Sequence, residues 1–216
     1  MPSNTSKDRG KKGSKFWMQT LANLDNGNAL SKAIQTEDNS IGDIKWLSPL
    51  KNASYGELKT KQIPGLEKAD FSFWPDNGPW WDGVSIDDNG CILLIEAKGH
   101  VAETKTKCTA TSEISREKIC KSMQEAHDSL ISSQHIYNDN GWLNKYYQLG
   151  NRLTFLVKLR EQGYNVKLVL LNIADDPTHI STSHDAWKKH YEEVFQIMIG
   201  TKKQPDNLIM VKFDVG

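Results

Sequence analysis

Apolar and polar positions along this chain change period several times, and each change marks an element. Between Phe16 and Gln35, Trp17, Leu21, Leu24, Leu30 and Ile34 recur at helical spacing, so a helix is predicted there, weakened in the middle by Gly27. Ser54–Lys61 reads as a second, short helix that Pro64-Gly65 terminates. A short strand is predicted over Asp70–Trp74, ended by Pro75-Asp76-Asn77-Gly78-Pro79. Two longer strands, Trp80–Asp87 and Cys91–Lys98, meet across Asp88-Asn89-Gly90, a strong hairpin signal. Beyond them, Ile119, Met123, Ala126 and Leu130 form one apolar stripe, which predicts a helix over Ser115–Ser133. Another helix is predicted over Asn144–Gln162, stopped by Gly163. Val166–Ile173 is β-branched and mostly apolar, as a central strand should be. Ser183 is placed to cap a helix reaching Ile199, and Leu208–Val215 is the last predicted strand. This order predicts an α/β fold: a mixed central sheet flanked by helices.

Residues 1–14 are polar and rich in Gly, Ser and Lys, and are expected to be a disordered basic tail before a single domain spanning 15–216. Such a tail either keeps the chain soluble or tracks nucleic acid. A length of 216 residues suits one α/β domain with a sizeable core. The formal net charge is +0, so any binding of polyanions must come from local patches. No apolar run approaches the ~20 residues that span a bilayer, and the basic start lacks the apolar stretch of a secretory signal. No membrane partner is therefore expected. Cys91, Cys108 and Cys120 are odd in number and form no C-x-x-C pair, which points to free thiols in a reducing cytoplasm.

One strand raises a chemical question. Cys91–Ile95 is apolar at every position and expects cover on both faces, yet it runs into Glu96-Ala97-Lys98. Alternation puts Ile92, Leu94, Glu96 and Lys98 on one side, and Trp80, Asp82, Val84 and Ile86 on one side of the preceding strand. If the hairpin register makes those sides the same, Asp82 approaches Glu96 and Lys98. Two carboxylates together at the end of an apolar sheet repel unless a cation lies between them. Oxygen ligands suit Mg²⁺ or Mn²⁺, and the lysine could then hold an attacking water or stabilise charge. The plainer alternative is a strand that reaches the surface, with Glu96 and Lys98 solvated and Asp82 opening a turn.

Asp82 followed by Glu96-Ala97-Lys98 resembles the signature of the PD-(D/E)XK nuclease superfamily, the fold of many restriction enzymes, recombination exonucleases and Holliday-junction resolvases. The resemblance implies a restriction-endonuclease-like αβββαβ core, with the Asp on its second strand and E-x-K on its third. The wider stretches "FWPDNGPWWDG", "LLIEAKGHVAE" and "YYQLGNRL" are similar to bacterial proteins of unassigned function placed near that superfamily. One departure is Trp81, where the superfamily commonly has proline before the Asp.

That resemblance implies a metal held by Asp82, Glu96 and the Ala97 carbonyl, with Lys98 near the attacking water. It also implies a helix carboxylate, here Glu57, aiding the metal, unless Glu57 is simply solvated. Gln148 would line the site from a later helix, as would Tyr147, although their spacing departs from the exonuclease-like pattern. Arg152 shares a helix face with Gln148 at i,i+4 and could clamp a phosphate in bidentate fashion. His100 continues the Glu96 and Lys98 side of the strand, as a substrate contact or a rim residue. Trp74, Trp80 and Trp81 could stack on unpaired bases or belong to the core. Asp175-Asp176-Pro177-Thr178-His179 reads as a turn after a strand rather than a metal cluster. No G-x-S-x-G, P-loop or G-x-G-x-x-G occurs, against hydrolase-elbow, NTPase and dinucleotide chemistry. The expected function is a Mg²⁺- or Mn²⁺-dependent nuclease, with nucleic acid as partner and DNA ahead of RNA. The alternative is a non-catalytic module of the same fold that binds nucleic acid or protein. A homodimer and a monomer are both open.

Overall fold

The computed structural model describes residues 9–75, 78–131 and 134–216. The first predicted helix is two: α1 (Gly13–Asn23) and α2 (Asn28–Glu37). Between them Asp25, Asn26 and Gly27 take φ of 48°, 53° and 79°, and these residue types enter the left-handed region at least cost. The expected basic tail falls on residues 1–8, which lie outside the described residues, and on 9–14, where α1 already begins at Gly13.

β1 (Ile44–Ser48) follows, a strand too short to show in the apolar pattern. The helix expected over Ser54–Lys61 does not form. Ser54 and Tyr55 lie at φ 54° and 56°, which stops a right-handed helix, and the segment gives β2 (Leu58–Lys59) between 3₁₀ turns. Asp70–Trp74 is likewise not a strand. The Asp70 carboxylate accepts from both the Ser72 N–H and hydroxyl, a local turn that competes with sheet pairing. Asp76 and Asn77 of the turn beyond it lie outside the described residues.

The predicted strand over Trp80–Asp87 divides at Asp82 into β3 (Trp80–Trp81) and β4 (Gly83–Asp87). β5 (Ile92–Lys98) follows the hairpin, whose turn is held by the buried Asp87 accepting from the N–H groups of Asn89 and Cys91. Then come α3 (Glu113–Leu130), α4 (Asp139–Trp142), α5 (Tyr147–Glu161), β6 (Val166–Ala174), α6 (His184–Ile199) and β7 (Leu208–Asp214). Ser132 and Ser133, at the end of the predicted third helix, lie outside the described residues. Ser183 caps α6, accepting from the Ala186 N–H, as the sequence predicts.

Five strands form one mixed sheet in the order β1-β4-β5-β6-β7, and β2 pairs with β3 in a small second sheet. β1, β4 and β5 are mutually antiparallel, while β5, β6 and β7 run parallel. Each face of the main sheet has its own apolar layer. Ile92, Leu94, Leu168 and Leu170 pack against residues of α3, α5 and α6, such as Met123, Phe155 and Phe195. Leu93, Ile95, Val169 and Leu171 pack on the other side against Met18, Leu21, Leu30 and Ile34 of α1 and α2. β5 is thus buried along its whole length, including its two charges. All three cysteines are free, and among the described residues no helix is long and apolar enough to cross a membrane.

Candidate functional site

Asp82 stands where the chain leaves one ladder and enters another. Trp81 pairs with Leu58 of β2, and Gly83 pairs with Ile95 of β5. Carried one residue further, these antiparallel registers set Asp82 opposite Glu57 on one side and Glu96 on the other. Asp82 itself is a bend outside both ladders; it lines one cleft with Glu57, and the Glu96 charge acts on both acids. The condition left open by the sequence is met: Val84 pairs with Leu94, and Ile86 with Ile92. Asp82 Oδ2 accepts from the Ala97 N–H at 2.8 Å. A strand residue's N–H and C=O point the same way, so the Ala97 carbonyl also faces Asp82.

Glu96 is 3% exposed and holds two cations. One carboxylate oxygen accepts from Lys98 Nζ, and the other from Arg152 Nε at 2.6 Å. Lys98 also donates to Gln148 Oε1 at 3.2 Å. Arg152 is held in turn by Asn151 Oδ1 at 2.8 Å and the Trp80 carbonyl at 2.9 Å, and lies 4.7 Å over the Trp81 ring. Each charge is paired, as a buried charge must be.

These surroundings divide the titration of the acids. Burial and the Glu96 charge push Asp82 up to about 7, against the restraint of Lys98 and the Ala97 N–H. Burial would also raise Glu96, but Arg152 and Lys98 overcome it and hold the carboxyl at about 2. Burial works to discharge Lys98, and Glu96 and Asp82 outweigh it, so the ammonium is kept charged. Burial lifts Glu57 above the usual carboxylate range, opposed chiefly by the Lys15 ammonium. Two acids of opposite tendency on one face mark a site where proton occupancy is set by surroundings.

A cleft of about 340 Å³ opens here, lined among others by Glu57, Trp80, Asp82, Tyr147, Gln148 and Arg152. The structure therefore brings together Asp82, Glu96, Lys98, Glu57, Gln148, Tyr147 and Arg152 of the residues singled out from sequence. Four are placed otherwise than expected. Arg152, 6% exposed, is committed to Glu96 and the Trp80 carbonyl instead of standing free for a phosphate. Trp81 is fully buried, its indole N–H donated to Thr60 Oγ1 at 2.9 Å, so it is a core residue and offers no surface for stacking. His100 does not line the cleft. It lies 3.5 Å from Glu103 and 5.5 Å, ring to ring, from His179. Glu57 reaches the site from the segment entering β2, not from a helix.

Sequence reasoning missed the double role of Arg152 and the polar neighbour Asn172. Asn172 aligns with Lys98 across the β5–β6 ladder, fully buried, and its Oδ1 has no partner among the described residues. A lone Asn inside the apolar run of β6 is the signal that pointed to it. A separate constellation, Asp175, His184 and Asp214, brings three ligand atoms within 4.8 Å of one another at the exposed ends of β6 and β7 and the start of α6. Asp175 was expected only in a turn. Among the described residues Glu57, Asp82 and Glu96 do not cluster that tightly. Comparison with protein-family models, curated proteins and solved structures finds no match to this chain.

Proposed function

We propose that the chain is a metal-dependent nuclease, hydrolysing phosphodiester bonds of nucleic acid on a restriction-endonuclease-like core. The observation that carries this reading is the approach of Asp82, just before β4, to the Glu96-Ala97 end of β5, with the Lys98 ammonium buried beside them. The succession of helices, β1, β4, β5, helices and β6 supports it as an αβββαβ order, with β6 parallel to β5.

The donor set fits a hard cation. Asp82, Glu96 and the Ala97 carbonyl offer only oxygen, and each hydrogen-bonded carboxylate oxygen keeps a further lone pair. Mg²⁺ or Mn²⁺ bound there would supply Lewis-acid stabilisation of phosphoryl charge and a more acidic water. The chain's own groups do the rest. Asp82 must release its proton to receive the cation. In the metal-free protein Glu96 and Asp82 keep Lys98 protonated, so its ammonium is placed to donate to the attacking or non-bridging oxygen. Gln148 and Glu96 fix where its Nζ points. Arg152 is a positioning residue that anchors the Glu96 carboxylate.

A second reading has its own observation. Glu96 is already neutralised by two cations in a network that closes without a metal, as a non-catalytic module on the same fold would have it. Incubation of supercoiled, linear and single-stranded DNA, and of RNA, with Mg²⁺ or Mn²⁺ separates the two. Cleavage that falls at least about a hundred-fold in Lys98→Ala is expected. Equal traces from wild type and variant would leave only the binding module.

A further inference from the structure

The stretch Arg9-Gly10-Lys11-Lys12-Gly13-Ser14-Lys15 holds four cations and no acid in a chain whose net charge is +0. It is folded back along α1. The Gly10 N–H donates to Gln19 Oε1 at 2.7 Å, and the Arg9 guanidinium lies 5.7 Å over the Phe16 ring. Lys11 and Lys12 are exposed, and neither they nor Lys15 makes an ion pair among the described residues. Structural lysines elsewhere in this molecule do pair, as Lys98, Lys158 and Lys167 show.

The stretch also reaches the end of β5 that carries the candidate site, from the α1 side of the sheet. Gly99, next after Lys98, packs so closely beneath it that a Cβ there would fall 3.0 Å from the Ser14 nitrogen and 3.3 Å from Gly13 Cα. Lys15 acts electrostatically on Glu57, which lines the cleft. The first N–H groups of α1 add to the positive end, since Lys12 at the cap position gives them no side-chain acceptor.

We propose that Arg9–Lys15 is a contact surface for the phosphodiester backbone of a nucleic acid, leading the strand into the cleft between Asp82 and α5. The proposal rests on the nuclease reading for its ligand and adds where the strand lies. Mobile counterions on phosphates are released when unpaired lysines replace them, and each such contact adds about 0.7–0.9 to the slope of affinity against salt. Unneutralised cations beside an acidic centre serve a second end: they draw a polyanion towards carboxylates that would otherwise repel it.

The test is fluorescence anisotropy with a labelled oligonucleotide, in EDTA so that no cleavage intrudes, at a series of salt concentrations. Lys11→Gln/Lys12→Gln is expected to weaken binding at low salt and to lower the log–log salt slope by about 1.5. Lys202→Gln/Lys203→Gln, which removes the same charge from another exposed site, should leave the slope unchanged. Absent binding by wild type, an unaltered slope in the first variant, or an equal fall in the second would each overturn the proposal. So would competition by polyglutamate as strong as that by unlabelled DNA. Binding that depends on Lys11 and Lys12 without metal-dependent cleavage would defeat the nuclease reading and keep this one.

Discussion

At the scale of single residues, Asp82 and Glu96 are the same chemistry in opposite settings. Glu96 is gripped by Lys98 and Arg152, so its low pKa contributes stability above the ordinary carboxylate value and loses it only as pH falls through about 2. Asp82 runs the other way. Well below pH 4 it is protonated in both the native and the unfolded chain. Between about 4 and 7 the unfolded chain releases that proton while the native state keeps it, so stability falls as pH rises. Asp82→Asn removes the loss while its amide oxygen still accepts from the Ala97 N–H. The metal-free variant should therefore be more stable than wild type by about 1–3 kcal/mol at pH 8, with the gain vanishing near about pH 3. Urea unfolding at the two pH values measures it. Equal stability at pH 8 would mean that the Asp82 charge is not disfavoured there.

At the scale of elements, the site depends on how closely α5 approaches its neighbours, because α5 carries Tyr147, Gln148 and Arg152. Gly150 makes that approach possible. A Cβ there would meet Trp142 Cε3 at 3.0 Å, the Met123 methyl at 3.2 Å and the Trp142 carbonyl at 3.2 Å. Trp142 is fully buried and its indole N–H is donated to the Met198 carbonyl at 2.9 Å, so it has little room to yield. Alanine improves helix propensity by up to about 1 kcal/mol, but overpacking of this kind costs about 1–3 kcal/mol. Gly150→Ala should lower the melting temperature, and a rise would show that α5 is free to shift. The elements misread from sequence fail for a related reason. Asp70–Trp74 and Ser54–Lys61 have local patterns compatible with strand and helix, but positive φ and side-chain hydrogen bonds in the folded chain override them.

At the scale of the whole molecule, a net charge of +0 conceals an uneven distribution: Glu57 and Asp82 in the cleft with Glu96 buried close by, and a run of cations leading into α1. Cation binding to the cleft should then stabilise the entire fold. A ligand at one hundred times its Kd adds about 2.7 kcal/mol. Titration with Mn²⁺, followed by thermal unfolding, should raise the melting temperature more at pH 8 than at pH 6, since Asp82 must give up its proton to bind. A shift that is the same at both values, or that survives in Asp82→Asn, would place the cation elsewhere, with Asp175, His184 and Asp214 the next candidates.

Local order wrote much of this protein into its sequence. The Asp88-Asn89-Gly90 turn and the two apolar runs around it dictate the hairpin, because turn chemistry and alternation act between near neighbours. They put Glu96 and Lys98 on one side of their strand, while the register that brings Asp82 to them is decided by the folded sheet. The apolar stripe of α3, the Gly163 stop after α5, the Ser183 cap of α6 and the apolar run of β6 are legible for the same reason. What alternation cannot encode is which distant segment completes a ladder or a charge pair. The pairing of β2 with β3 that brings Glu57 to the cleft, the guanidinium of Arg152 on Glu96 and the burial of Trp81 all depend on contacts between residues far apart in the chain. Tertiary packing alone decided those, since burial makes an unpaired charge costly enough to select its partner from whatever the fold brings near.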